Sequence, residues 1–430
     1  MNRDQVFRLL RAHESRNVTF MDPAGAWPIV WKRAKGVHVW DTDGRRYLDL
    51  TAAFGVANAG HANPRVVLAG QRQMAELLHA MGDVHPHELK ARLARELSRL
   101  TFERWGKTKG ARLTGKVTFN NSGFEAVEAA LKTARLATGR RDIIAFEGAY
   151  HGVGYGALNA THRAHFKKPF GNQLGRFGRF APYPATEAEL PGVERALREL
   201  FDTCAVGAVI AEPVQGRGGI RIPPRQFLPM LRGLCDAHGS LLILDEVFTG
   251  FGRTGTWFAC EHSGVTPDLI CLGKALTGGF PLSACVGRAD VMDAAWPASN
   301  GEAIHTSTYL GHPVGCAMAL AQISEIRRQR LVPRSASLGR HLLAGLQRLG
   351  RATGMVSTRS LGLMAGIELR GRGGPANGVQ TMAVIKSMLR AGYILLPEGE
   401  HGNVISLTPP LTITRVQLDR ALAALRLVLP

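Results

Sequence analysis

Lys274 lies directly behind a short apolar segment, within PDLICLGKALTGGFP at positions 267–281. The apolar run Leu269–Leu272 predicts a buried strand, so the lysine is expected where that strand ends. Burial disfavours the ammonium form and lowers the pKa of the amine, which leaves a nucleophile able to form a Schiff base with an aldehyde. Lys274 is therefore the first candidate for a catalytic residue.

Asp245 follows a second apolar segment, Leu241–Leu244. A carboxylate at the end of a buried strand needs a partner. One interpretation is an ion pair within the core. The other is a counter-ion for the protonated ring nitrogen of a cofactor, because such a partner makes a pyridine ring an electron sink. Taken alone, Asp245 leaves both interpretations open.

Two further segments carry groups that could contact a flat, anionic ligand. Asn120–Phe124 leads into a predicted helix, and the free N–H groups of a helix N-terminus favour anions. A simple helix cap is the alternative, because Ser and Gly both favour that position. Tyr150-His151-Gly152 offers a flat ring, although an aromatic residue that fills the core would look the same.

These residues follow apolar segments that alternate with amphipathic ones. Such alternation predicts a mostly parallel sheet with both faces covered, in which ligands bind at the carboxyl ends of the strands. Glu212 joins the set because it too follows a predicted strand. The predicted strands are Val117–Phe119, Ile143–Phe146, Ala208–Ala211, Leu241–Leu244 and Leu269–Leu272, and the helices are Ala126–Ala137, Val193–Phe201 and Phe227–His238.

Both ends of the chain predict a second, smaller unit. An Asp-Gly turn at 43–44, between apolar runs at 37–40 and 47–50, indicates a hairpin. Beyond residue 325 we expect a small α/β domain, completed by residues 1–55, with residues 56–325 forming the large domain. Its predicted elements are a helix at 335–350, a strand at 362–369, a helix at 379–392, a strand at 403–407 and a helix at 415–428, which begins with a capping box of Thr414 and Gln417.

Composition excludes several function classes. The 430 residues are 45% apolar, no run reaches the ~20 apolar residues of a membrane span, and the first twenty residues lack the apolar core of a signal peptide, so we expect a cytoplasmic protein. The net charge is +19, but the arginines are scattered and no nucleic-acid-binding motif is present. The six cysteines lack metal-site spacing, which favours reduced core thiols and no metal site.

The segment Gly250–Gly255 matches GxGxxG, and Asp268 lies 18 residues beyond Gly250, as a dinucleotide site would require. However, Asp245–Thr249 separates the predicted strand from the first glycine, and Thr256–Ser263 is a poor helix candidate. A dinucleotide site is therefore not expected.

Together these segments resemble the class III (ω-amino acid type) aminotransferases, which use pyridoxal 5′-phosphate (PLP). The resemblance implies the α/β fold type I, with a mainly parallel seven-stranded sheet in the large domain and a smaller α/β domain built from both termini. It extends over nearly the whole chain, in WDTDGRRYLDL, FGVANAGH, NNSGFEA, AYHG, AEPVQG, LDEVFTGFGRTG, PDLICLGKALTGGFP, HTSTYLGHPVGC and VISLTPPL.

The resemblance also implies roles for individual residues. Lys274 would form the internal aldimine with PLP and carry the proton between the substrate carbon and the cofactor. Asp245 would pair with the pyridinium nitrogen, and Ser122, Gly123 and Phe124 would hold the phosphate. Thr308 would reach the phosphate of a neighbouring subunit, which implies an obligate homodimer. Tyr150 and His151 would lie beside the ring, with Val247 behind it and Glu212 near Asp245.

Four positions depart from the family pattern. Ser406 occupies the place of an arginine that binds substrate carboxylate in many relatives, and Arg217 occupies the place of a glutamate. Val153 stands where relatives that use glutamate often have arginine. Phe248 replaces a glutamine that would form a hydrogen bond with the ring oxygen of the cofactor. We therefore hypothesise that Arg217 binds an acidic group of a substrate from the opposite wall. The alternative is that Arg217 faces solvent.

The same departures leave the expected pocket apolar, with Phe54, Val153 and Phe248 as candidate linings. A large or hydrophobic amine donor is then expected rather than ornithine. A phospho-lyase, racemase, epimerase or decarboxylase on the same scaffold is the alternative to transamination, because these reactions differ only in which bond is aligned with the ring.

Overall fold

The protein's structure, a computed structural model, describes residues 1–18, 27–353, 356–370 and 376–429. Its helices are α1 (Arg3–His13), α2 (Ala52–Gly55), α3 (Pro64–Glu76), α4 (Glu88–Leu100), α5 (Phe102–Thr108), α6 (Gly123–Thr138), α7 (Tyr155–Ala160), α8 (Ala164–Lys167), α9 (Leu190–Thr203), α10 (Phe227–His238), α11 (Ala289–Ala295), α12 (Pro313–Arg328), α13 (Leu331–Thr353), α14 (Gly378–Arg390) and α15 (Arg415–Val428). Its strands are β1 (Trp31–Lys35), β2 (His38–Asp41), β3 (Arg46–Asp49), β4 (Gly115–Asn120), β5 (Asp142–Phe146), β6 (Gly178–Ala181), β7 (Val206–Ala211), β8 (Leu241–Asp245), β9 (Leu269–Leu272), β10 (Ser283–Arg288), β11 (Val356–Leu361), β12 (Met364–Leu369), β13 (Tyr393–Ile394), β14 (Leu396–Glu398) and β15 (Val404–Leu407).

The predicted apolar strands form a sheet that has seven strands within the described ranges, in the order β4-β10-β9-β8-β7-β5-β6. Strands β5 to β9 pair in parallel, and β10 runs antiparallel to both β4 and β9. Strands β5, β7 and β9 are buried along their whole length, as expected when helices cover both faces. The mainly parallel sheet is therefore confirmed.

Two strands of this sheet were not predicted. Strand β6 has the sequence GRFA and is half-buried at its first three positions, so it lacks a continuous apolar run. Strand β10, SACVGR, is almost wholly buried but contains serine and glycine, which are poor strand formers. Pairing with neighbouring strands determines both segments, and that information is not local in the sequence.

The two chain ends form smaller sheets. The predicted hairpin is present as β2 and β3, and β13 from the C-terminal part pairs in parallel with β3, so that Tyr393 faces Leu48. The second sheet has the order β11-β12-β15-β14. The predicted strand at 362–369 was wrong in its first residues, because Leu361 and Met364 flank a hairpin turn at Gly362, whose φ is +56°.

The predicted helices of the C-terminal part are present with small shifts at their ends. The last helix begins at Arg415, and the predicted capping box of Thr414 and Gln417 is confirmed. In the described parts of the chain, no helix has the length and apolar character needed to cross a bilayer.

Residues 52–55, labelled α2, form a left-handed turn rather than a right-handed helix. The φ angles are 48° at Ala52, 49° at Ala53, 63° at Phe54 and 77° at Gly55. A non-glycine residue costs roughly 1–2 kcal/mol in this region, because its Cβ approaches the following carbonyl oxygen. Three such residues in succession need strong local contacts to hold them.

Candidate active site

Five strand ends of the large sheet converge on one cavity of about 260 Å³. The segments that follow β4, β5, β7, β8 and β9 each contribute to its wall, as predicted for the carboxyl edge of a parallel sheet. The residues that line it are Gly123, Phe124, Tyr150, His151, Gly152, Val153, Glu212, Arg217, Asp245, Val247, Phe248 and Lys274.

Lys274 follows β9 after a single glycine, Gly273, and has a positive φ of 40°. Burial lowers the pKa of Lys274, and the nearby carboxylates of Asp245 and Glu212 oppose that shift. Its Nζ lies 4.3 Å from the centre of the Phe248 ring, within the range of a cation–π contact. The lysine is thus an amine at the cavity wall whose neutral form is favoured by desolvation.

Asp245 is buried and pairs with a histidine. Nδ1 of His151 lies 2.8 Å from Oδ2 of Asp245, while the backbone N–H of Val247 donates to Oδ1 over 3.1 Å. Among the described residues, Nε2 of His151 is buried without a hydrogen-bond partner. The carboxylate is therefore held in a fixed orientation at the cavity by two contacts.

Glu212 connects two loops that form the cavity wall. One carboxylate oxygen accepts from the N–H of Tyr150 over 3.0 Å, and the other accepts from the N–H of Gly216 over 2.9 Å. Burial raises the pKa of Glu212 to about 7, and His151 and the two N–H groups oppose this shift. Glu212 thus fixes the backbone on which Tyr150 is carried.

The N-terminus of α6 opens onto the cavity. Ser122 stands at its N-cap, where its N–H and hydroxyl both donate to Glu125 over 2.6 and 2.9 Å. The first N–H groups of a helix have no acceptor within the helix and favour an anion. A side chain at Gly123 would place its Cβ 2.9 Å from Val247, and one at Gly152 would lie 2.2 Å from Phe124. Because Gly123 and Gly152 have no side chains, Val247 and Phe124 can pack closely against the backbone at this end of the cavity.

Arg217 lines the cavity, and its side chain keeps an exposed fraction of 34%. Its guanidinium lies 5.1 Å from the centre of the Tyr150 ring, and its Nε lies 4.0 Å from a carboxylate oxygen of Glu398. Among the described residues, this Nε is buried without a hydrogen-bond partner. Its backbone carbonyl accepts from Arg163 and from the N–H of Gly399, over 3.1 and 3.2 Å. The backbone is therefore held while the guanidinium keeps unused donor capacity.

Sequence reasoning missed Glu398. This carboxylate is buried at the end of β14, and burial raises its pKa, although Arg217, Lys274 and Arg163 lower it. The segment PEGEHG has the composition of a solvent-exposed turn and contains no local signal of burial. The pairing of β14 with β15 and the hydrogen bond from the Gly399 N–H to the Arg217 carbonyl bring Glu398 towards the loop that carries Arg217.

Four predicted residues lie outside the cavity wall. Ser122 is adjacent to it at the α6 cap, and Phe54 is exposed on the left-handed turn. Thr308 is exposed on the surface of this subunit, and Ser406 is buried within β15 opposite Gly366. The structure therefore brings together the cofactor candidates and Arg217, but it keeps Thr308 and Ser406 away from them.

The GFGRTG segment has a packing role. Asp268, the candidate ribose ligand, instead forms ion pairs with Arg232 and Arg288 over 2.6 and 3.0 Å. The segment beyond Gly255 forms only a short 3₁₀ turn at Ala259–Ser263. Neither feature is that of a dinucleotide site.

The chain is similar to known proteins over nearly its whole length. The sequence matches the aminotransferase class-III family over residues 20–429. It is 38% identical over 411 residues to the 5-aminovalerate aminotransferase DavT of Pseudomonas aeruginosa, covering 93% of this chain and 92% of that protein. It is 37% identical over 407 residues to the acetylornithine aminotransferase of Methanosarcina mazei, covering 93% and 91%. A solved amine transaminase from an uncultivated Pseudomonas species, in its PLP-bound form, superimposes with a TM-score of 0.87 at 32% identity, covering 96% of both chains.

Proposed function

We propose roles for individual residues in amino-group transfer, because the chain belongs to the class III aminotransferase family and is a PLP-dependent aminotransferase of fold type I. Lys274 is the reacting amine, Asp245 is the counter-ion of the cofactor ring, and Arg217 binds an acidic group of a substrate. The convergence of these side chains on one cavity is the observation that supports the proposal.

The residues present fit PLP. An N-terminus of a long helix suits a phosphate, a buried carboxylate suits a pyridinium nitrogen, and an aromatic ring at Tyr150 suits the flat ring. When bound, PLP supplies a conjugated ring that takes up the electron pair released at the substrate carbon. On this proposal Gly123 and Phe124 donate to the phosphate from the helix N-terminus, beside Ser122, and Val247 packs behind the ring.

Lys274 would both attach the cofactor and move the proton. Desolvation favours its neutral amine, which is the form that accepts a proton from a substrate carbon. Its position at the end of β9 holds Nζ at the cavity wall, so the proton travels only a short distance. His151 supports Asp245 through the 2.8 Å contact and so keeps the carboxylate oriented.

The proposed substrates carry an acidic group or a bulky apolar group. Arg217 lies near the buried Glu398, but its Nε has no hydrogen-bond partner among the described residues, so it could donate to a substrate carboxylate. Val153 and Phe248 make the adjacent wall apolar. We therefore expect an amine or ω-amino acid as donor and an oxo acid as acceptor, with arylalkyl amines preferred over ornithine.

The direct test is the half-reaction, followed by absorbance. Purified enzyme loaded with PLP is mixed with ornithine, 4-aminobutyrate or an arylalkyl amine, without an acceptor. A transaminase converts the cofactor to the pyridoxamine form in one turnover, and pyruvate or 2-oxoglutarate then restores the original spectrum. A return to the starting spectrum without an acceptor would indicate a lyase, racemase or decarboxylase instead. Preference for ornithine would contradict the substrate proposal.

Three further expectations belong to the same proposal. A homodimer, in which Thr308 completes the neighbouring site, is supported by the exposure of Thr308 on this subunit. Residues 1–55 and 326–430 would form the small domain and residues 56–325 the large one, which the pairing of β3 with β13 supports. A cytoplasmic location stays a prediction.

A further inference from the structure

The left-handed turn at 52–55 lies directly against the candidate active site. A Cβ on Gly55 would lie 2.4 Å from the Phe248 ring, and a Cβ on Gly216 would lie 2.3 Å from the same ring. The ring of Phe248 therefore occupies a slot between two glycine backbones. The slot fixes the ring where Lys274 Nζ lies 4.3 Å from its centre.

The buried carboxylate of Asp49 contacts the turn in its unfavourable conformation, together with the hydroxyl of Thr51, which accepts from the N–H of Ala53 over 3.2 Å. Oδ1 of Asp49 accepts from the N–H and the hydroxyl of Thr51 over 2.8 and 2.6 Å. Oδ2 accepts from the N–H of Ala53 over 3.1 Å and lies 2.7 Å from Nε2 of His61. Asp49 is fully buried, so these contacts are made without competition from water.

The other side of the turn is held by the small domain. The hydroxyl of Thr408 donates to the carbonyl of Thr51 over 3.1 Å, and its N–H donates to the carbonyl of Leu50 over 2.7 Å. Thr408 and Asp49 thus fix the chain at the start of the turn, and Asp49 also accepts from Ala53 within its strained interior.

We propose that Asp49, supported by His61, is a positioning residue for the reaction: it holds the turn at 52–55 against Phe248, and so sets both the environment of the Lys274 amine and the shape of the adjoining apolar wall. Asp49 lines no part of the cavity and acts only through the turn. The inference rests on the proposed function, because it requires Lys274 to be the reacting amine.

The test uses the PLP-loaded enzyme and the variant Asp49→Asn. Asparagine keeps one oxygen acceptor but replaces the second with an NH₂ group, which cannot accept from Ala53 or His61. Two quantities are measured: the pH midpoint of the visible absorbance band, and the ratio of kcat/KM for an arylalkyl amine to that for 4-aminobutyrate. The matched control is Asp43→Asn, an exposed aspartate in the same hairpin.

If Asp49 acts through Phe248, Asp49→Asn and Phe248→Leu will change both quantities in the same direction. The Phe248 ring favours the protonated form of the Lys274 nitrogen through a cation–π contact. Displacing the ring should therefore lower the pH midpoint of the absorbance band by about half a pH unit. The kcat/KM ratio should change by about tenfold. The double variant should show little change beyond either single one, because the two residues act as a unit.

An unchanged midpoint and an unchanged ratio in Asp49→Asn, with only a lower Tm, would overturn the inference and leave Asp49 a purely structural residue. If Asp49→Asn does not fold, His61→Ala removes the partner of Oδ2 while keeping the Asp49 carboxylate, and the same two quantities must change in the same direction. A wild-type enzyme that shows no pH-dependent band with PLP would instead refute the proposed role of Lys274.

Discussion

At the scale of single residues, the cavity wall combines one lysine, one arginine and two buried carboxylates, those of Glu212 and Asp245. Arg217 is central because its backbone is fixed, while its Nε makes no hydrogen bond among the described residues. Glu398 lies near but 4.0 Å away, too far for a hydrogen bond. A substrate carboxylate could therefore bind Arg217 without first breaking a strong contact.

We expect Arg217→Ala to raise KM for acidic substrates by roughly 10- to 100-fold, because a charge-assisted contact contributes about 1.5–3 kcal/mol. KM for an arylalkyl amine should change little. Steady-state kinetics with both substrate types provide the measurement, and Arg225→Ala, an exposed arginine outside the cavity, is the control. The hypothesis fails if every acidic substrate keeps its wild-type KM.

The raised pKa values of the buried Glu212 and Glu246 carboxyl groups predict that stability falls as the pH rises. Burial raises the pKa of each to about 7 from 4.5, so each keeps its proton in the folded protein after the unfolded chain has lost it. Their contribution to stability is fully present below pH 4.5 and is lost as the pH rises through about 7. The Tm of the PLP-free protein should therefore fall between pH 5 and pH 8.

Glu212→Gln should make that fall smaller, whatever its effect on the absolute Tm, because the variant has no proton to release. Thermal unfolding at half-unit pH steps measures the slope. An equal slope in the wild type and the variant would show that Glu212 does not titrate in this range.

The sequence located Lys274 and Asp245 because each follows an apolar strand, so a local pattern carries the information. It did not indicate Glu398 or the role of Asp49. Their functional neighbours lie far along the chain: Glu398 faces Arg217, and the turn that Asp49 holds faces Phe248. Burial of an ordinary-looking carboxylate depends on long-range packing, which a single sequence does not show.

At the scale of elements, the GFGRTG segment joins three parts of the fold through Arg253. This fully buried arginine donates to the carbonyls of Leu363 and Pro409 over 2.9 and 2.6 Å, and to the side chain of Asn58. A Cβ on Gly255 would lie 2.9 Å from Ala336, so the glycines permit close packing against α13. The motif is thus explained by packing between the large sheet and the terminal segments.

Arg253→Met should reduce the free energy of unfolding by about 1–3 kcal/mol, because it leaves buried acceptors without a donor. Chemical denaturation of the purified protein measures the change. Arg348→Met, an exposed arginine on α13, serves as the control and should change the free energy by less than about 0.5 kcal/mol. A loss no greater than that of the control would contradict the assigned role.

Local patterns predicted the regular elements well where hydrophobic periodicity was strong. Helix α10 and strand β9 have the predicted ends, whereas β6 and β10 were missed because neither has a continuous apolar sequence. The same limitation applies to the hairpin of β11 and β12, since a turn at Gly362 interrupts an otherwise strand-like segment.

At the scale of the whole molecule, an exposed apolar surface adjoins Thr308. The segments 77–85 and 304–312 lie side by side, since the rings of His79 and Tyr309 are 5.3 Å apart. Large exposed apolar patches mark interaction surfaces. The exposed fractions here are 59% for Leu78, 53% for Met81, 63% for Val84 and 55% for Tyr309.

We expect the protein to sediment as a dimer, and Met81→Glu to shift it towards monomer with a loss of at least tenfold in kcat, because Thr308 would no longer reach its neighbour. Val379→Glu, at a still more exposed apolar position on α14, is the control and should leave the dimer intact. Analytical ultracentrifugation with parallel activity measurements tests this. A fully active wild-type monomer would refute the dimer proposal.

The pairing of β3 with β13 has a consequence for biosynthesis. Leu48 and Leu50 donate their N–H groups to the carbonyls of Gly392 and Ile394, which the ribosome makes much later. At about 5–20 residues per second, the N-terminal hairpin waits roughly twenty seconds to a minute for its last strand. During that interval one edge of the hairpin is open to chaperones and to other nascent chains. The strand that carries Asp49 therefore reaches its final place only when translation is nearly complete.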